Sequence, residues 1–255
     1  MLEFVVRRYL YYPTALRREA PLPPWAGDAE EVWLAADDGH EIHALWWPAP
    51  DGRPTLLFLH GNAQSVFEWS LVREDLAALE CGLLLLDYPG YGKSSGDPTE
   101  DGCYAAGRAA LRWLLDERGL PPAQVVVFGK SLGGGVATEI VRGQTLGGLI
   151  LESTFRSIPS VARKLLPMVA TDAVLSTERY ESLARIGEVA MPLLVVHGDR
   201  DELIPYEEGQ ALFDAAPEPK QLYAVAGAGH NDVSMVAGAA YGRTLRAWLD
   251  GLGGE

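Results

Sequence analysis

The sequence predicts an α/β fold in which a mostly parallel sheet of eight strands carries helices on both faces. Two observations point there. Short, almost unbroken apolar runs recur along the chain, such as Thr55-Leu56-Leu57-Phe58-Leu59 and Gly82-Leu83-Leu84-Leu85-Leu86. Strands that read apolar throughout are buried on both sides, which is the condition of parallel strands. Amphipathic stretches long enough for crossover helices separate these runs. With 255 residues, 48% of them hydrophobic, the chain can build one large domain with a full core.

Residues 1–28 comprise a basic, aromatic-rich segment and a proline-rich connector, Pro21-Leu22-Pro23-Pro24-Trp25-Ala26-Gly27-Asp28. A single domain is expected over residues 29–255. Residues 31–37 and 41–47 read as a hairpin around Asp38-Gly39. The third strand spans 55–60. A helical stretch through Leu71, Leu76 and Leu79 then leads to a fourth strand at 82–87. The next helix places Cys103, Ala106, Ala110 and Leu114 on one face, and further strands begin near Val125, Leu149, Leu193 and Leu222. A last helix carries Ala237, Tyr241, Leu245, Trp248 and Leu249. The connection over about 155–190 exceeds a normal loop and is expected to hold helices of its own.

Composition narrows the function classes. A net charge of −14 argues against nucleic acid as a partner and favours a monomer or small homo-oligomer. The two cysteines, Cys81 and Cys103, read as small buried hydrophobes rather than a disulfide framework. No CxxC or HExxH spacing occurs, so neither a metal nor another cofactor is expected. The first twenty residues hold four arginines against two glutamates, a local charge of +2. Their apolar residues form no run of membrane-spanning length and no signal-peptide layout. A helix packed on the domain is favoured there. Weak association of residues 1–20 with a membrane surface is the alternative, within an expected cytoplasmic location.

The chemistry centres on Gly129-Lys130-Ser131-Leu132-Gly133, which follows the apolar run Val125-Val126-Val127-Phe128. A G-x-S-x-G between a strand and a helix exposes the serine on a turn too tight for flanking Cβ atoms, so Ser131 is a candidate nucleophile. Serine is too weak an acid to attack a carbonyl unaided; it needs a histidine to take its proton and a carboxylate to orient that histidine. Both types follow. Asp199 and Asp201 come after the buried strand near Leu193, and His230 comes after the strand near Leu222.

Five segments together carry a resemblance: His60-Gly61-Asn62-Ala63, Asp87-Tyr88-Pro89-Gly90-Tyr91-Gly92-Lys93-Ser94, Gly129-Lys130-Ser131-Leu132-Gly133-Gly134, His197-Gly198-Asp199-Arg200-Asp201-Glu202-Leu203-Ile204-Pro205 and Gly229-His230-Asn231-Asp232. In this order they resemble the α/β-hydrolase superfamily from about residue 30 to the C-terminus, and within it the compact, minimally lidded group that includes membrane-associated and depalmitoylating serine hydrolases. The resemblance implies the α/β-hydrolase fold, with Ser131 as nucleophile and His230 as general base and then acid. It favours Asp201 over Asp199 as the carboxylate, because Asp201 precedes the x-x-hydrophobic-Pro segment Glu202-Leu203-Ile204-Pro205. It implies an oxyanion hole built from the backbone amides of Leu132 and Asn62, with the Asn62 side chain holding its loop in shape. It implies that the insert over about 155–190 forms a small helical cap over the site. Tyr91 is a candidate substrate contact, and the cap residues Ile158, Leu165 and Leu166 are candidates to line an acyl pocket.

The remaining polar residues take structural readings. His40, His43, His60 and His197 are expected to pack or to order loops, Asp87 to anchor the loop that follows it, Asp199 to bond nearby amides, and Asp232 to cap the final helix. The expected function is a cofactor-free serine hydrolase of carboxylic esters with short-to-medium acyl chains. A small-molecule acyl thioester substrate, a protein depalmitoylase or a peptidase of the same fold are the enzymatic alternatives. A ligand-binding protein that has kept the fold without turnover is the alternative from another class.

Overall fold

The computed structural model describes residues 7–8, 10–165 and 178–252. Eight strands form its single sheet: β1 (Glu30–Ala35), β2 (Glu41–Trp47), β3 (Thr55–Leu59), β4 (Gly82–Leu86), β5 (Val125–Lys130), β6 (Gly148–Glu152), β7 (Leu193–Gly198) and β8 (Lys220–Val225). Their order is β1-β2-β4-β3-β5-β6-β7-β8. The β1–β2 and β2–β4 pairs are antiparallel, and every pair from β4 to β8 is parallel. Gly39, with φ of 86°, turns the β1–β2 hairpin.

The α-helices whose bounds lie among the described residues are α1 (Val66–Trp69), α2 (Val72–Asp75), α3 (Glu100–Arg112), α4 (Leu132–Ile140), α5 (Ile158–Leu165), α6 (Ser182–Arg185), α7 (Tyr206–Ala215), α8 (Val233–Ala237) and α9 (Ala239–Gly251). The two-residue period of a strand divides each apolar run between the faces. Leu57, Leu59, Val125 and Val127 point to one core, where they meet Cys103, Ala106 and Ala110 of α3, and Val136 and Ile140 of α4. Leu56, Phe58, Val126 and Phe128 point to the other, where they meet Leu76, Leu79, and Tyr241, Leu245 and Leu249 of α9. Each fully buried leucine or phenylalanine contributes about 1.5–3 kcal/mol, so the interior strands are held from both sides.

Two helical expectations are corrected. The stretch through Leu71, Leu76 and Leu79 is three short pieces, α1, α2 and a 3₁₀ turn at Ala77–Leu79. Ser65 caps α1 in a box with Glu68, and Glu80 adopts a left-handed conformation that ends the run. The last helix is broken at Gly238, whose φ of 53° and ψ of −137° cannot continue a helix, so Ala237 belongs to α8 and the rest of the expected face to α9.

The described part of the N-terminal segment lies on the domain. Tyr11 is fully buried. Ala15 makes a parallel bridge to Gly92, with Gly92 N donating to Thr14 O at 2.8 Å and Leu16 N donating to Gly92 O at 2.6 Å. Among the described residues no helix is long and apolar enough to cross a membrane.

Candidate active site

The parallel strands end on a common edge, and their C-terminal loops gather the polar residues of the site. β5 runs straight into Ser131, whose φ of 53° and ψ of −117° place it in a backbone region that side chains rarely adopt. Such strain persists only where the surroundings over-determine it. Here Ser131 N donates to Glu152 O at 2.9 Å, while Thr154 Oγ1 and Gly134 N donate to Ser131 O at 2.7 and 3.0 Å. The flanking glycines are sterically required. A Cβ on Gly129 would lie 2.6 Å from Gly133 O, and one on Gly133 would lie 1.9 Å from Leu59 O. The turn thus sets α4 directly against the end of β3.

His230, on the loop after β8, meets this serine. Its Nε2 lies 3.0 Å from Ser131 Oγ and its Nδ1 lies 2.7 Å from Asp201 Oδ2. Asp201, on the loop after β7, is oriented through its other oxygen, which accepts the amides of Leu203 at 3.0 Å and Ile204 at 2.7 Å. An ionised carboxylate only accepts, so His230 carries its proton on Nδ1 and presents a lone pair at Nε2 to the serine hydroxyl. Burial works to raise the Asp201 pKa, but hydrogen bonds from His197, His230 and the Ile204 amide outweigh it and hold the carboxyl well below the usual carboxylate range. Ser131 is 8% exposed and Asp201 6%, so the relay is shielded while its serine remains reachable.

The neighbouring residues keep this geometry. His197 is fully buried and its Nε2 donates to Ile204 O at 2.8 Å, which ties the Asp201 loop to β7. Asp199 is exposed and accepts the Gly227 amide at 2.6 Å, linking the acid loop to the loop that carries His230. Asp232 departs from its expected capping role. It stands before α8, not the final helix, and its Oδ1 accepts the Gly229 amide at 2.6 Å instead of an amide of the helix. That contact shapes the turn that presents His230.

The loop after β3 lies against the serine, since a Cβ on Gly61 would fall 3.4 Å from Ser131 Cβ. Leu132 is the first residue of α4, where a backbone amide has no acceptor within its helix. The Asn62 amide makes no hydrogen bond among the described residues. The Asn62 side chain is exposed, and its Nδ2 donates to Leu10 O at 3.1 Å. His60 is fully buried against Trp69 and Tyr88, its Nδ1 donating to Gly61 O at 2.6 Å, and burial lowers its pKa. Asp87 anchors its loop by accepting the Val66 amide at 2.8 Å and lying 2.9 Å from His43 Nδ1.

Tyr91 requires a correction. It was expected at the substrate, but it is fully buried and its hydroxyl donates to Tyr11 O. Residues 10–16 cover the loop that carries it, a long-range contact that local sequence does not announce. Ile158 is half-buried and packs against the core face containing α3 and α4. Leu166 and the Leu165 side chain lie outside the described residues.

Several positioning residues had no sequence signal of their own. Thr154 holds the Ser131 carbonyl, and Glu152, 1% exposed, sits between Lys130 Nζ at 2.7 Å and Tyr241 Oη at 2.6 Å. A lysine at the variable position of G-x-S-x-G would have suggested this pairing only if a buried carboxylate were known to end β6. Among the described residues no group of three or more His, Cys, Asp or Glu side chains is placed to hold a metal ion.

A family model described as alpha/beta hydrolase fold matches residues 54–142, from the start of β3 through α4. An uncharacterized protein of Mycobacterium tuberculosis is 32% identical over 248 residues, covering 95% of this chain and 86% of that protein. The chain belongs to the α/β-hydrolase superfamily. Another relative is the human alpha/beta hydrolase domain-containing protein 17B, 33% identical over 188 residues, which span 73% of this chain and 64% of that protein. Among solved structures, the Pyrococcus furiosus esterase Pf2001 superposes with a TM-score of 0.76 at 19% identity, covering 95% of this chain and 97% of that one. A thermophilic esterase from Thermogutta terrifontis superposes with a TM-score of 0.66 at 24% identity, covering 88% and 99%. At such identities the likeness to the two esterases is one of fold.

Proposed function

We propose that this α/β-hydrolase is a serine esterase that cleaves carboxylic esters of short-to-medium acyl chains through an acyl-enzyme intermediate. The observation that carries the reading is the hydrogen-bonded chain from Ser131 Oγ through His230 to Asp201, 3.0 and 2.7 Å long. Ser131 Oγ attacks the ester carbonyl carbon as its proton passes to His230 Nε2. Asp201 stabilises the imidazolium that forms. The negative charge developing on the carbonyl oxygen is met by the Leu132 and Asn62 amides, with the positive end of the α4 dipole behind Leu132. The tetrahedral species collapses when His230 returns its proton to the leaving alcohol, which leaves the acyl group on Ser131. Water, deprotonated by His230, then attacks the acyl carbon, and Ser131 departs with the proton.

The chain-length assignment draws on the apolar side chains of the cap. Ile158, Leu165 and Leu166 are proposed to line the acyl site. The test is hydrolysis of p-nitrophenyl esters from acetate to palmitate by the wild-type protein and by Ser131→Ala. Turnover with a maximum at short-to-medium chains, abolished in the variant, is expected. Equal turnover in the variant would remove Ser131 from the mechanism, and a maximum at palmitate would overturn the chain-length assignment.

A further inference from the structure

Residues 10–16 do more than cover the surface. Their backbone is bonded to the loop that follows β3 and to the loop that follows β4. Leu10 O accepts the Asn62 side-chain amide at 3.1 Å. Tyr11 O accepts the Ala63 amide at 2.9 Å and also the Tyr91 hydroxyl. Four residues on, Ala15 pairs with Gly92. The far end of Tyr11 is equally engaged, its hydroxyl donating to the buried Glu178 and lying 2.9 Å from the Tyr180 hydroxyl. Tyr180 lies against the helix that follows the nucleophile, since a Cβ on Gly135 would fall 2.7 Å from its ring.

The loop fastened by this segment is strained and sits beside the serine. Ala63 and Gln64 hold φ of 61° and 63°, two successive non-glycine residues in the left-handed region. Such a conformation relaxes unless other contacts hold it. Two neighbouring donors, the Asn62 side chain and the Ala63 amide, are both taken by the N-terminal segment, and Trp69 Nε1 holds the Ala63 carbonyl at 3.1 Å from the opposite side. The Asn62 backbone amide, between the strap's contacts and Gly61, makes no hydrogen bond among the described residues.

We infer that residues 10–16 form a strap that positions the oxyanion loop, with Asn62 Nδ2 and the Tyr91 hydroxyl as its two side-chain fasteners. The inference rests on the proposed serine-esterase reading and assigns to Asn62 and Tyr91 a positioning role. Neither side chain touches substrate. They act by keeping the Asn62 amide aimed at the carbonyl oxygen as charge develops there. An amide displaced by a fraction of an ångström still admits substrate but stabilises the transition state less, so loosening the strap lowers kcat and leaves KM nearly unchanged.

The test compares wild type, Asn62→Ala, Asn62→Asp, Tyr91→Phe and Arg18→Ala. Arg18 is an exposed residue whose side chain pairs with Glu41, away from the loop, and serves as the control. The readouts are kcat and KM on p-nitrophenyl butyrate, the rate of labelling by a fluorophosphonate probe, and thermal melting. Asn62→Asp keeps the size of the side chain but removes its donor, so it is expected to behave like Asn62→Ala. Both should lower kcat and the labelling rate on the order of tenfold, with KM within about twofold of wild type. Tyr91→Phe should act in the same direction, and Arg18→Ala should match wild type. Unchanged kcat and labelling in both Asn62 variants would overturn the strap. A rise in KM with kcat preserved would also overturn it, by making Asn62 a substrate contact. The esterase reading fails separately, if the wild-type protein neither turns over the ester nor takes up the probe.

Discussion

Replacing Asp201 with asparagine should disable the site by a route visible in its hydrogen bonds. Asp201 Oδ1 accepts two backbone amides, from Leu203 and Ile204. In Asp201→Asn the amide oxygen must take that position, because an NH₂ there would face two donors. The NH₂ is thereby forced to the Oδ2 position, 2.7 Å from His230 Nδ1. Facing a donor, His230 can only accept at Nδ1, so its proton moves to Nε2 and points at Ser131. The base then has no lone pair for the serine proton. Trapping the wrong tautomer lowers kcat by about 10⁴-fold, roughly 5 kcal/mol of transition-state stabilisation. Asp199→Asn provides the contrast. It weakens one exposed bond to the Gly227 amide and should change kcat/KM by no more than a few-fold. The assay is kcat/KM on p-nitrophenyl butyrate for both variants, with circular dichroism to confirm folding. Comparable losses in the two variants, or a larger loss in Asp199→Asn, would refute the tautomer argument.

Three further outcomes follow from the same contacts. Because the folded-state pKa of Asp201 is depressed, its ionised form contributes stability that is fully present above the unfolded carboxylate value and is lost as pH falls through the folded one. The melting-temperature gap between wild type and Asp201→Asn should therefore shrink as pH falls below about 4; a gap that widens there would contradict the direction of the shift. Gly133→Ala should fail to fold or lose about 3 kcal/mol or more in urea denaturation, since its Cβ would meet the Leu59 carbonyl at 1.9 Å and neither backbone can move without displacing the turn; a near-wild-type midpoint would contradict this. Lys130→Met should destabilise by about 3 kcal/mol by leaving Glu152 buried without its cation, and adding Glu152→Gln should recover most of that loss; no recovery in the double variant would show that packing, not charge, is at stake.

Strands β3 through β7 were legible because parallel strands buried on both faces leave continuous apolar runs, and each begins within a residue of its run. Ser131 was legible for a related reason: a glycine-flanked serine after such a run has few structures open to it. Asp201 was separable from Asp199 through the Leu203-Ile204-Pro205 segment, and the Leu203 and Ile204 amides are the donors that hold it. Local sequence was silent on features created at long range. Tyr91 looked available to substrate because nothing in its neighbourhood says that Tyr11, 80 positions away, returns to take its hydroxyl. The fastening of Asn62 by Leu10, the clamping of Ser131 by Thr154, and the Lys130–Glu152–Tyr241 contacts all join separate elements in the same way. The break at Gly238 was missed for a different reason. Apolar spacing is unchanged across it, and only the backbone reveals that the glycine adopts a positive φ.

The most direct test of the central claim is intact-mass and peptide-mapping spectrometry after exposure to a fluorophosphonate. Nucleophilic attack by Ser131 predicts one stoichiometric adduct that maps to the peptide containing Ser131, is absent from Ser131→Ala and forms far more slowly in His230→Ala. Folded wild-type protein that takes up no probe, or an adduct that maps elsewhere and persists in Ser131→Ala, would contradict it.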